Sequence, residues 1–281
     1  YKNDDYVGVE AIPELKDENF VENEYIYLKW GNMKAYTVYK NKKLFIIDSK
    51  TVKPCNVNAK HDSQKFALHA LMAPSEEIPL VILKGPAGSA KTFLSLAAGV
   101  DQTYDGKYGK IVITRANVLA DKDIGYLKGS LEDKMNPLLA PFYDNLEVIL
   151  RCFNGGEKES NEQIQMQIED MKESGILEVA SLAYMRGRSL NGAFIIVDEV
   201  QNMSPLQVLT LVTRAGMGTK VVLCGDLDQI DAPNLDRENN ALAYVSEKMK
   251  NSPLCAQITF NQDECVRSPL AWEAAAKLTI Q

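Results

Sequence analysis

The sequence of 281 residues predicts a doubly wound α/β fold over residues 56–281, preceded by a small β-rich segment over residues 1–55. Two observations predict this fold. Short apolar runs alternate with stretches of helical character, and the runs are nearly continuous in Val, Ile and Leu, which is typical of parallel strands covered by helices on both faces. A glycine-rich stretch also separates the first of these runs from the first helix that follows it.

Five apolar runs are predicted as the strands of the sheet. Helices are predicted between them at 91–103, 204–214 and 238–250, so the elements form a βαβ series. A further helix is predicted at 160–175, because Ser160 and Gln163 match a capping box and Gly175 can end a helix. The predicted strands are LVILKG (80–85), KIVITR (110–115), ILEVAS (176–181), FIIVDE (194–199) and KVVLCGD (220–226).

Residues 1–55 have a different composition from the rest of the chain. The stretches EYIYLKW and KAYTVYKNKKLFIID are rich in aromatic and β-branched residues, with polar breaks at GNMK and KNKK, which predicts a small β-meander. Two interpretations stay open at this point. The segment is either a small domain or linker of its own, or a sheet that packs on the domain that follows.

The composition argues against several classes of protein. No apolar run approaches the roughly 20 residues of a membrane-spanning helix, and nothing resembles a secretory signal. The five cysteines have no CxxC spacing, which argues against a disulfide framework or a zinc cluster and favours the cytoplasm. His61 and His69 are eight residues apart, too far to share a metal, so both are predicted at the surface. Because the chain begins with Tyr1 rather than Met, we expect it to be part of a longer protein.

The net charge of −7 limits the ways in which this chain can bind a nucleic acid. Binding to a polyanion is driven largely by neutralising its phosphates and releasing counterions. An acidic chain that binds a nucleic acid must therefore gather its lysines and arginines in one region, and otherwise it binds something else.

The stretch GPAGSAKT, residues 85–92, has the pattern and context of a phosphate-binding P-loop, since it follows a predicted strand and precedes a predicted helix. Ala90 stands where the pattern has glycine, and we expect a negative φ there, at which alanine costs little. A chance match to so short a pattern is the alternative. The residues predicted to contact the nucleotide are Gly85, Pro86, Ala87, Gly88, Ser89, Ala90, Lys91, Thr92 and Phe93.

Polar side chains also follow two later strands. Asp198 and Glu199 end the run AFIIVDE, where NTPases place one carboxylate that holds Mg²⁺ and one that polarises the attacking water. Asp226 and Gln229 follow the next strand, at the edge where open α/β sheets bind ligands, and are candidates for sensing the γ-phosphate or orienting water. The alternative in each case is an ordinary polar end of a strand.

Gln64 lies about one helix before the P-loop. A glutamine amide can form two hydrogen bonds with the N6 and N7 atoms of adenine. Taken alone, Gln64 would be a glutamine on the surface of a helix, so its interpretation depends on the motifs around it.

Together these segments resemble the PhoH family of P-loop ATPases, a family similar to the ATPase core of superfamily 1 helicases. The resemblance covers residues 56–281 and implies a RecA-like P-loop NTPase fold. The segment VKPCNVNAKHDSQKFALHALM is similar to the one that joins the ATPase to a preceding PIN nuclease domain in some members, and such a domain would lie before Tyr1. The segments that carry the resemblance are GPAGSAKT, YMRGRSLNGAFIIVDEVQNMSPLQV, LVTRAGMGTKVVLCGDLDQID and ECVRSPL.

The resemblance implies ATP as the nucleotide, Mg²⁺ as the metal and a ring hexamer as the assembly. Arg267 matches the arginine that one subunit of such a ring offers to the γ-phosphate of its neighbour. The sequence departs from the family at Ala90, where glycine is usual, and at Ser268, where histidine is common. The roles implied are catalytic for Lys91, Glu199, Asp226, Gln229 and Arg267, adenine contact for Gln64, and Mg²⁺ binding for Thr92 and Asp198.

Four arginines are predicted at or near strand and helix ends, namely Arg115, Arg186, Arg188 and Arg214. They can line a nucleic-acid path, contact phosphates of ATP, or form salt bridges between subunits, and the sequence does not separate these possibilities.

Two hypotheses about function follow. In the first, the protein is an ATPase that couples hydrolysis to translocation on, or unwinding of, single-stranded RNA or DNA. In the second, it is a regulatory or assembly module that hydrolyses ATP without moving a nucleic acid. The resemblance favours the first, and the acidic composition favours the second.

Overall fold

The computed structural model describes residues 6–15, 17–48, 50–116, 131–155, 159–182 and 189–265, together with residues 273 and 277. Of Ala11, Glu14 and residues 131–138 only the backbone is described.

The N-terminal segment forms a four-stranded antiparallel sheet, which confirms the predicted β-meander. Its strands are β1 (Tyr6–Gly8), β2 (Tyr25–Trp30), β3 (Met33–Lys40) and β4 (Lys43–Ile46), in the spatial order β1–β4–β3–β2.

This sheet packs against the remainder of the chain. The side-chain amide of Asn23 donates to the backbone oxygens of Pro253 at 2.8 Å and Cys255 at 3.2 Å. On the other side, the Tyr36 hydroxyl donates to Asp62 at 2.7 Å. These contacts favour the second of the two interpretations, a sheet packed on the following domain. A domain boundary near residue 55 remains a prediction.

The rest of the chain is built on one parallel sheet, as the uninterrupted apolar runs predict. The order of its six strands in the described ranges is β10–β5–β9–β8–β6–β7, and every neighbouring pair is parallel. Its strands are β5 (Leu80–Lys84), β6 (Lys110–Arg115), β7 (Leu177–Val179), β8 (Ala193–Asp198), β9 (Lys220–Gly225) and β10 (Cys255–Thr259).

Helices cover both faces of this sheet. Helices α2, α4, α5 and α6 confirm the predicted ones, with ends shifted by a few residues, and the capping box of Ser160 and Gln163 is present. No helix within the described ranges is long and apolar enough to cross a bilayer. The helices are α1 (Asp62–Met72), α2 (Lys91–Tyr104), α3 (Leu131–Phe153), α4 (Asn161–Glu173), α5 (Pro205–Val212) and α6 (Ala241–Lys248).

Three elements were not predicted, β1, α3 and β10. The sequence of α3 contains Pro137 and Pro141, which ordinarily argue against a helix. Strand β10, CAQIT, is short and its apolar pattern is weak, and only its place at the edge of the sheet beside β5 makes it a strand.

The core has two halves, one on each face of the parallel sheet. Within β5, Val81 and Leu83 pack with α1 to α4, while Leu80 and Ile82 pack with α5 and α6. Successive side chains of a strand point to opposite faces, so a strand covered on both faces must be apolar at every position. This arrangement holds the carboxyl ends of β5, β6, β8 and β9 together at one edge.

Candidate nucleotide-binding site

A cleft of about 300 Å³ lies at the carboxyl edge of the parallel sheet, in front of β5, β6, β8 and β9. It brings the P-loop, the acid pair after β8 and the turn after β9 into one site, as the sequence predicted. Its lining residues are Ala87, Gly88, Ala90, Lys91, Thr92, Phe93, Arg115, Pro141, Phe142, Asn145, Asp198, Glu199, Gly225, Asp226 and Gln229.

Two glycines give the P-loop its path. Gly85 has a φ of 147°, and a Cβ at this position would lie 2.7 Å from the backbone oxygen of Phe260. Gly88 has a φ of 83°. A side chain at Gly85 would therefore clash with backbone, and one at Gly88 would be strained, so the loop needs glycine at both positions.

Ala90 contradicts one expectation. Its φ of 70° and ψ of 20° place it in the left-handed region, at the N-cap of α2, whereas the sequence analysis expected a negative φ. A left-handed alanine costs roughly 1–2 kcal/mol relative to the right-handed conformation, because its Cβ approaches the following carbonyl oxygen. The glycine of the usual pattern would avoid this strain. The loop therefore forms with alanine at this position, but at a conformational cost.

The Lys91 amino group lies inside the loop. Its Nζ donates to the backbone oxygens of Gly85 at 2.7 Å and Pro86 at 2.9 Å, and to the Ser89 hydroxyl at 3.3 Å. Lys91 is 8% exposed. An amino group held in this way can replace its hydrogen bonds to the loop oxygens with hydrogen bonds to the oxygens of a phosphate.

Thr92 and Asp198 meet across the cleft. The Thr92 hydroxyl donates to Oδ1 of Asp198 at 3.0 Å, although the two residues are 106 positions apart. Burial raises the pKa of Asp198, and the neighbouring carboxylate of Glu199 raises it further. A hydroxyl and a carboxylate oxygen are ligands that Mg²⁺ prefers, and a bound dication would offset the cost of burying this charge. The residues present therefore fit the predicted metal.

Glu199 is held at the mouth of the same cleft. It has a left-handed backbone with a φ of 56°, which turns the chain sharply after β8. Its carboxylate accepts from Arg115 at 3.1 Å and from the side-chain amide of Gln201 at 2.5 Å. Because two donors hold it, the Glu199 carboxylate has a defined orientation in the cleft.

Gln201 is a site residue that the sequence analysis missed. It is fully buried, its Oε1 accepts from the backbone N–H of Asp226 at 3.0 Å, and its Nε2 donates to the backbone oxygen of Gln229 at 2.9 Å. A Cβ on Gly225 would lie 2.6 Å from this Oε1, so a side chain there would push the Gln201 amide out of its place. The signal was present in the sequence, since Gln201 is the second residue after the glutamate in DEVQ.

Asp226 and Gln229 both line the cleft, as predicted. Asp226 is 6% exposed, and its Oδ1 accepts from the backbone N–H of Asp228 at 3.0 Å. The backbone N–H of Gln229 donates to the backbone oxygen of Asp226 at 3.2 Å. The two residues therefore belong to one turn after β9.

Gln64 does not line this cleft. It is 2% exposed, and its Oε1 accepts from the backbone N–H of Lys60 at 2.8 Å. The alternative of a surface glutamine is therefore wrong, while the adenine contact stays a prediction. His69 also differs from expectation, because its ring is partly covered by the N-terminal sheet and its Nδ1 lies 3.0 Å from the Tyr25 hydroxyl.

The predicted arginines are divided by the structure. Arg115 lines the cleft and pairs with Glu199. Arg214 lies beyond α5 and is not among the cleft residues. Arg186, Arg188, Arg267 and Ser268 lie outside the described residues.

Comparison with known proteins gives consistent matches. A family model described as PhoH-like protein matches residues 56–278. Protein PhoH2 of Bacillus subtilis (strain 168) is 38% identical over 273 residues, which cover 94% of this chain and 58% of that protein. A PhoH-like protein of the same organism is 38% identical over 191 residues, which cover 68% of this chain and 55% of that protein. The chain thus spans little more than half the length of these relatives.

Among solved structures, the crystal structure of Pif1 helicase from Candida albicans aligns with a TM-score of 0.31 and 15% identity, over 72% of this chain and 40% of that one. This likeness is too weak to bear on function.

Proposed function

This chain belongs to the PhoH family, and we propose that it is a Mg²⁺-dependent ATP hydrolase. The observation that carries the proposal is the convergence of Lys91, the Thr92–Asp198 pair and Glu199 in one cleft. Two segments far apart in sequence, the P-loop and the acid pair at the end of β8, supply a cation for phosphate, oxygens for a metal and a carboxylate for water. An accidental P-loop would not be accompanied by the acid pair.

Each side chain has a role that follows from its position. Lys91 binds the β- and γ-phosphates and offsets the charge that develops during transfer. Glu199, oriented by Arg115 and Gln201, polarises the attacking water and accepts its proton. Asp226 and Gln229 sense the γ-phosphate from the turn after β9. The adenine contact of Gln64 is proposed from the resemblance alone, because its side chain is 2% exposed and does not line the cleft.

Thr92 and Asp198 would hold the Mg²⁺ ion. A bound ion would supply positive charge that offsets the charge of the phosphates. Asp198 then needs to be ionised despite its burial.

The hydrolysis is proposed to drive movement along single-stranded RNA or DNA. The second candidate is a nucleotide-dependent assembly module, which the overall charge of −7 favours. ATP turnover measured with and without single-stranded RNA and single-stranded DNA separates the two. A motor is stimulated, and the stimulation falls as salt rises, because phosphate contacts release counterions. Absence of stimulation by either polymer rules out the motor and leaves the assembly module.

The assembly and context of the chain are also proposals. They comprise a ring hexamer, a PIN nuclease domain before residue 1, a boundary near residue 55 and a cytoplasmic location. All five cysteines are free, which suits a reducing compartment. In such a ring Arg267 would reach a neighbour's γ-phosphate. Mixing Arg267→Ala with Lys91→Ala subunits would then restore activity above that of either parent, and strictly additive activity would contradict it.

A further inference from the structure

The lysines of this acidic chain are concentrated in its N-terminal sheet. Residues 25–53 contain seven lysines and a single acid, Asp48, a local charge of +6 in a chain of net charge −7. Most of these lysines lie on β2, β3, β4 or the turns that join them. The sheet is therefore a region where a polyanion can bind, despite the overall charge.

The strand register places like charges side by side. Lys29 on β2 lies opposite Lys34 on β3, and Tyr27 lies opposite Tyr36 two residues further along the same strands. Residues directly opposite share a face, and so do residues two apart. Lys29, Lys34, Tyr27 and Tyr36 therefore form one surface, which we call the Lys29–Lys34 surface.

The carboxylate of Asp62, which accepts from Tyr36, lies near enough to Lys34 to offset part of the charge of this surface. Neither Lys29 nor Lys34 has a carboxylate within salt-bridge distance among the residues that the structure describes. Lys40, on the same face further along β3, does pair with Glu77 at 3.0 Å. Like charges opposite one another destabilise a sheet unless a counter-charge is present. An external anion would supply the remainder.

Aromatic rings lie beside the two lysines. The rings of Tyr27 and Tyr36 have centroids 5.3 Å apart, and Nζ of Lys34 lies 5.9 Å from the centre of Tyr27. Trp30, at the hairpin end, is 70% exposed but lies on the opposite face of these strands, because successive side chains alternate. Cations for phosphates next to aromatic rings for bases are the combination that binds single strands with little sequence preference.

A series of contacts connects this surface with the P-loop end of the parallel sheet. Tyr36 bonds to Asp62, the first residue of α1, and the next residue, Ser63, donates to Glu264 at 2.5 Å. Glu264 follows β10, whose carboxyl end adjoins Gly85 of the P-loop through Phe260. A strand bound to the hairpin would thus extend beside the start of α1, close to the P-loop edge of the sheet.

We propose that the Lys29–Lys34 surface binds the backbone of a single-stranded nucleic acid. The proposal rests on the motor form of the proposed function and adds to it a binding surface outside the ATPase fold. It also accounts for how an acidic chain holds a polyanion, because the charge needed is local.

The test compares a double variant with a matched control. Lys29→Gln/Lys34→Gln removes two charges and leaves neutral polar side chains that are one methylene shorter. Lys248→Gln/Lys250→Gln does the same at two exposed lysines at the end of α6. Each protein is titrated with fluorescein-labelled oligo-dT and oligo-U at several salt concentrations, and with phosphatidylserine vesicles. Melting temperature and ATP turnover without nucleic acid are recorded in parallel.

We expect Lys29→Gln/Lys34→Gln to bind oligonucleotide about tenfold more weakly, with the slope of log K against log salt reduced by about 1.4, since each contact contributes about 0.7 for single strands. The control variant should bind as the wild type does, and all three proteins should melt alike and have the same basal turnover.

Three other results overturn the proposal, each differently. If the double variant binds like the wild type, the surface is elsewhere and the motor function stands. If the wild type binds no oligonucleotide, the surface proposal and the motor fail together, while ATP hydrolysis is unaffected. If the double variant loses binding to vesicles rather than to oligonucleotides, the surface contacts a membrane instead.

Discussion

The side-chain oxygen of Gln201 accepts a hydrogen bond from the backbone N–H of Asp226 at 3.0 Å. The amide nitrogen of the same side chain bonds to Glu199 at 2.5 Å. One buried glutamine therefore joins the carboxylate proposed to polarise water to the turn proposed to sense the γ-phosphate. A displacement of the Glu199 carboxylate or of the turn at Asp226 would therefore move the other through the Gln201 side chain.

Replacing Gln201 with methionine should slow hydrolysis about 100-fold with little change in nucleotide affinity, because misplacing a catalytic group by about 1 Å has an effect of this order. Stability should fall by about 1–3 kcal/mol, since the Asp226 N–H is left buried without a partner. The measurements are kcat, the Kd of a fluorescent ATP analogue and urea unfolding. Gln165→Met, on the exposed side of α4, is the control. A loss of stability without a loss of kcat would make Gln201 purely structural.

Lys91→Ala should reduce ATP turnover by about 10²–10³-fold or more, because it removes the cation proposed to contact the transferring phosphoryl group. Lys110→Ala is the matched control, since Lys110 pairs with Glu178 at the start of β6, at the opposite edge of the sheet. Turnover is measured by phosphate release at saturating Mg²⁺. Substantial residual activity in Lys91→Ala would show that hydrolysis does not use this loop.

Ala90 provides a pair of variants with opposite expectations. Ala90→Gly removes the strain of a left-handed alanine, but it also raises the conformational entropy of the unfolded chain. Because these effects oppose each other, the free energy of unfolding should change by no more than about 1 kcal/mol, and ATP should bind as well or better. Ala90→Val should disrupt the loop, because a β-branched residue is strongly disfavoured at a φ of 70°. Isothermal titration with ATP and thermal melting measure both effects. Tight ATP binding by Ala90→Val would contradict the left-handed geometry.

Glu199→Gln should retain ATP binding and lose most hydrolysis. The amide matches the carboxylate in size but cannot accept the proton of the attacking water, a contribution of about 10²–10⁴-fold. Single-turnover hydrolysis and nucleotide binding are measured on the same sample. Glu238→Gln, at an exposed position outside the cleft, is the control. If Glu199→Gln loses nucleotide binding while bound ATP is hydrolysed normally, Glu199 holds the metal instead.

Stability should fall as the pH drops from about 6.5 toward 4, in part because of His69. Burial, and secondly the charge of Lys40, lower the pKa of His69 to about 4 from its ordinary 6.5. The unfolded state then binds more protons than the folded state between these pH values. The contribution of His69 to the free energy of unfolding is therefore fully present above pH 6.5 and is lost by pH 4. It amounts to at most about 3 kcal/mol, less to the extent that solvent reaches the ring.

Urea unfolding of wild type, His69→Gln and His61→Gln at pH 7.5, 6.0 and 5.0 measures this contribution. His69→Gln should lose less stability between pH 7.5 and 5.0 than the other two proteins. An identical pH dependence in all three would show that His69 titrates in the folded protein as it does in the unfolded chain.

The strands and loops of the site could be predicted because their signals are local. A parallel strand buried on both faces is apolar throughout, so β5, β6, β8 and β9 stand out in the sequence. Their carboxyl ends meet at one edge in any doubly wound sheet. For this reason Lys91, Thr92, Asp198 and Asp226 could be assigned to one site before any distance was known.

Other features depend on contacts between distant parts of the chain. Strand β10 forms because β5 offers it a partner, and α3 persists through two prolines because its remaining face is buried. The left-handed φ of Ala90 is set by the path between β5 and α2, since residue type alone favours a negative φ.

The sequence by itself determined the fold class, the family and the chemical identity of the groups in the cleft, because each depends on residue type and spacing along the chain. Only the tertiary structure decided that Gln201 links Glu199 to Asp226, that Gln64 is buried away from the cleft, and that Lys29 lies opposite Lys34. These relationships are set by strand order and register, which bring together residues that periodicity along the chain does not connect.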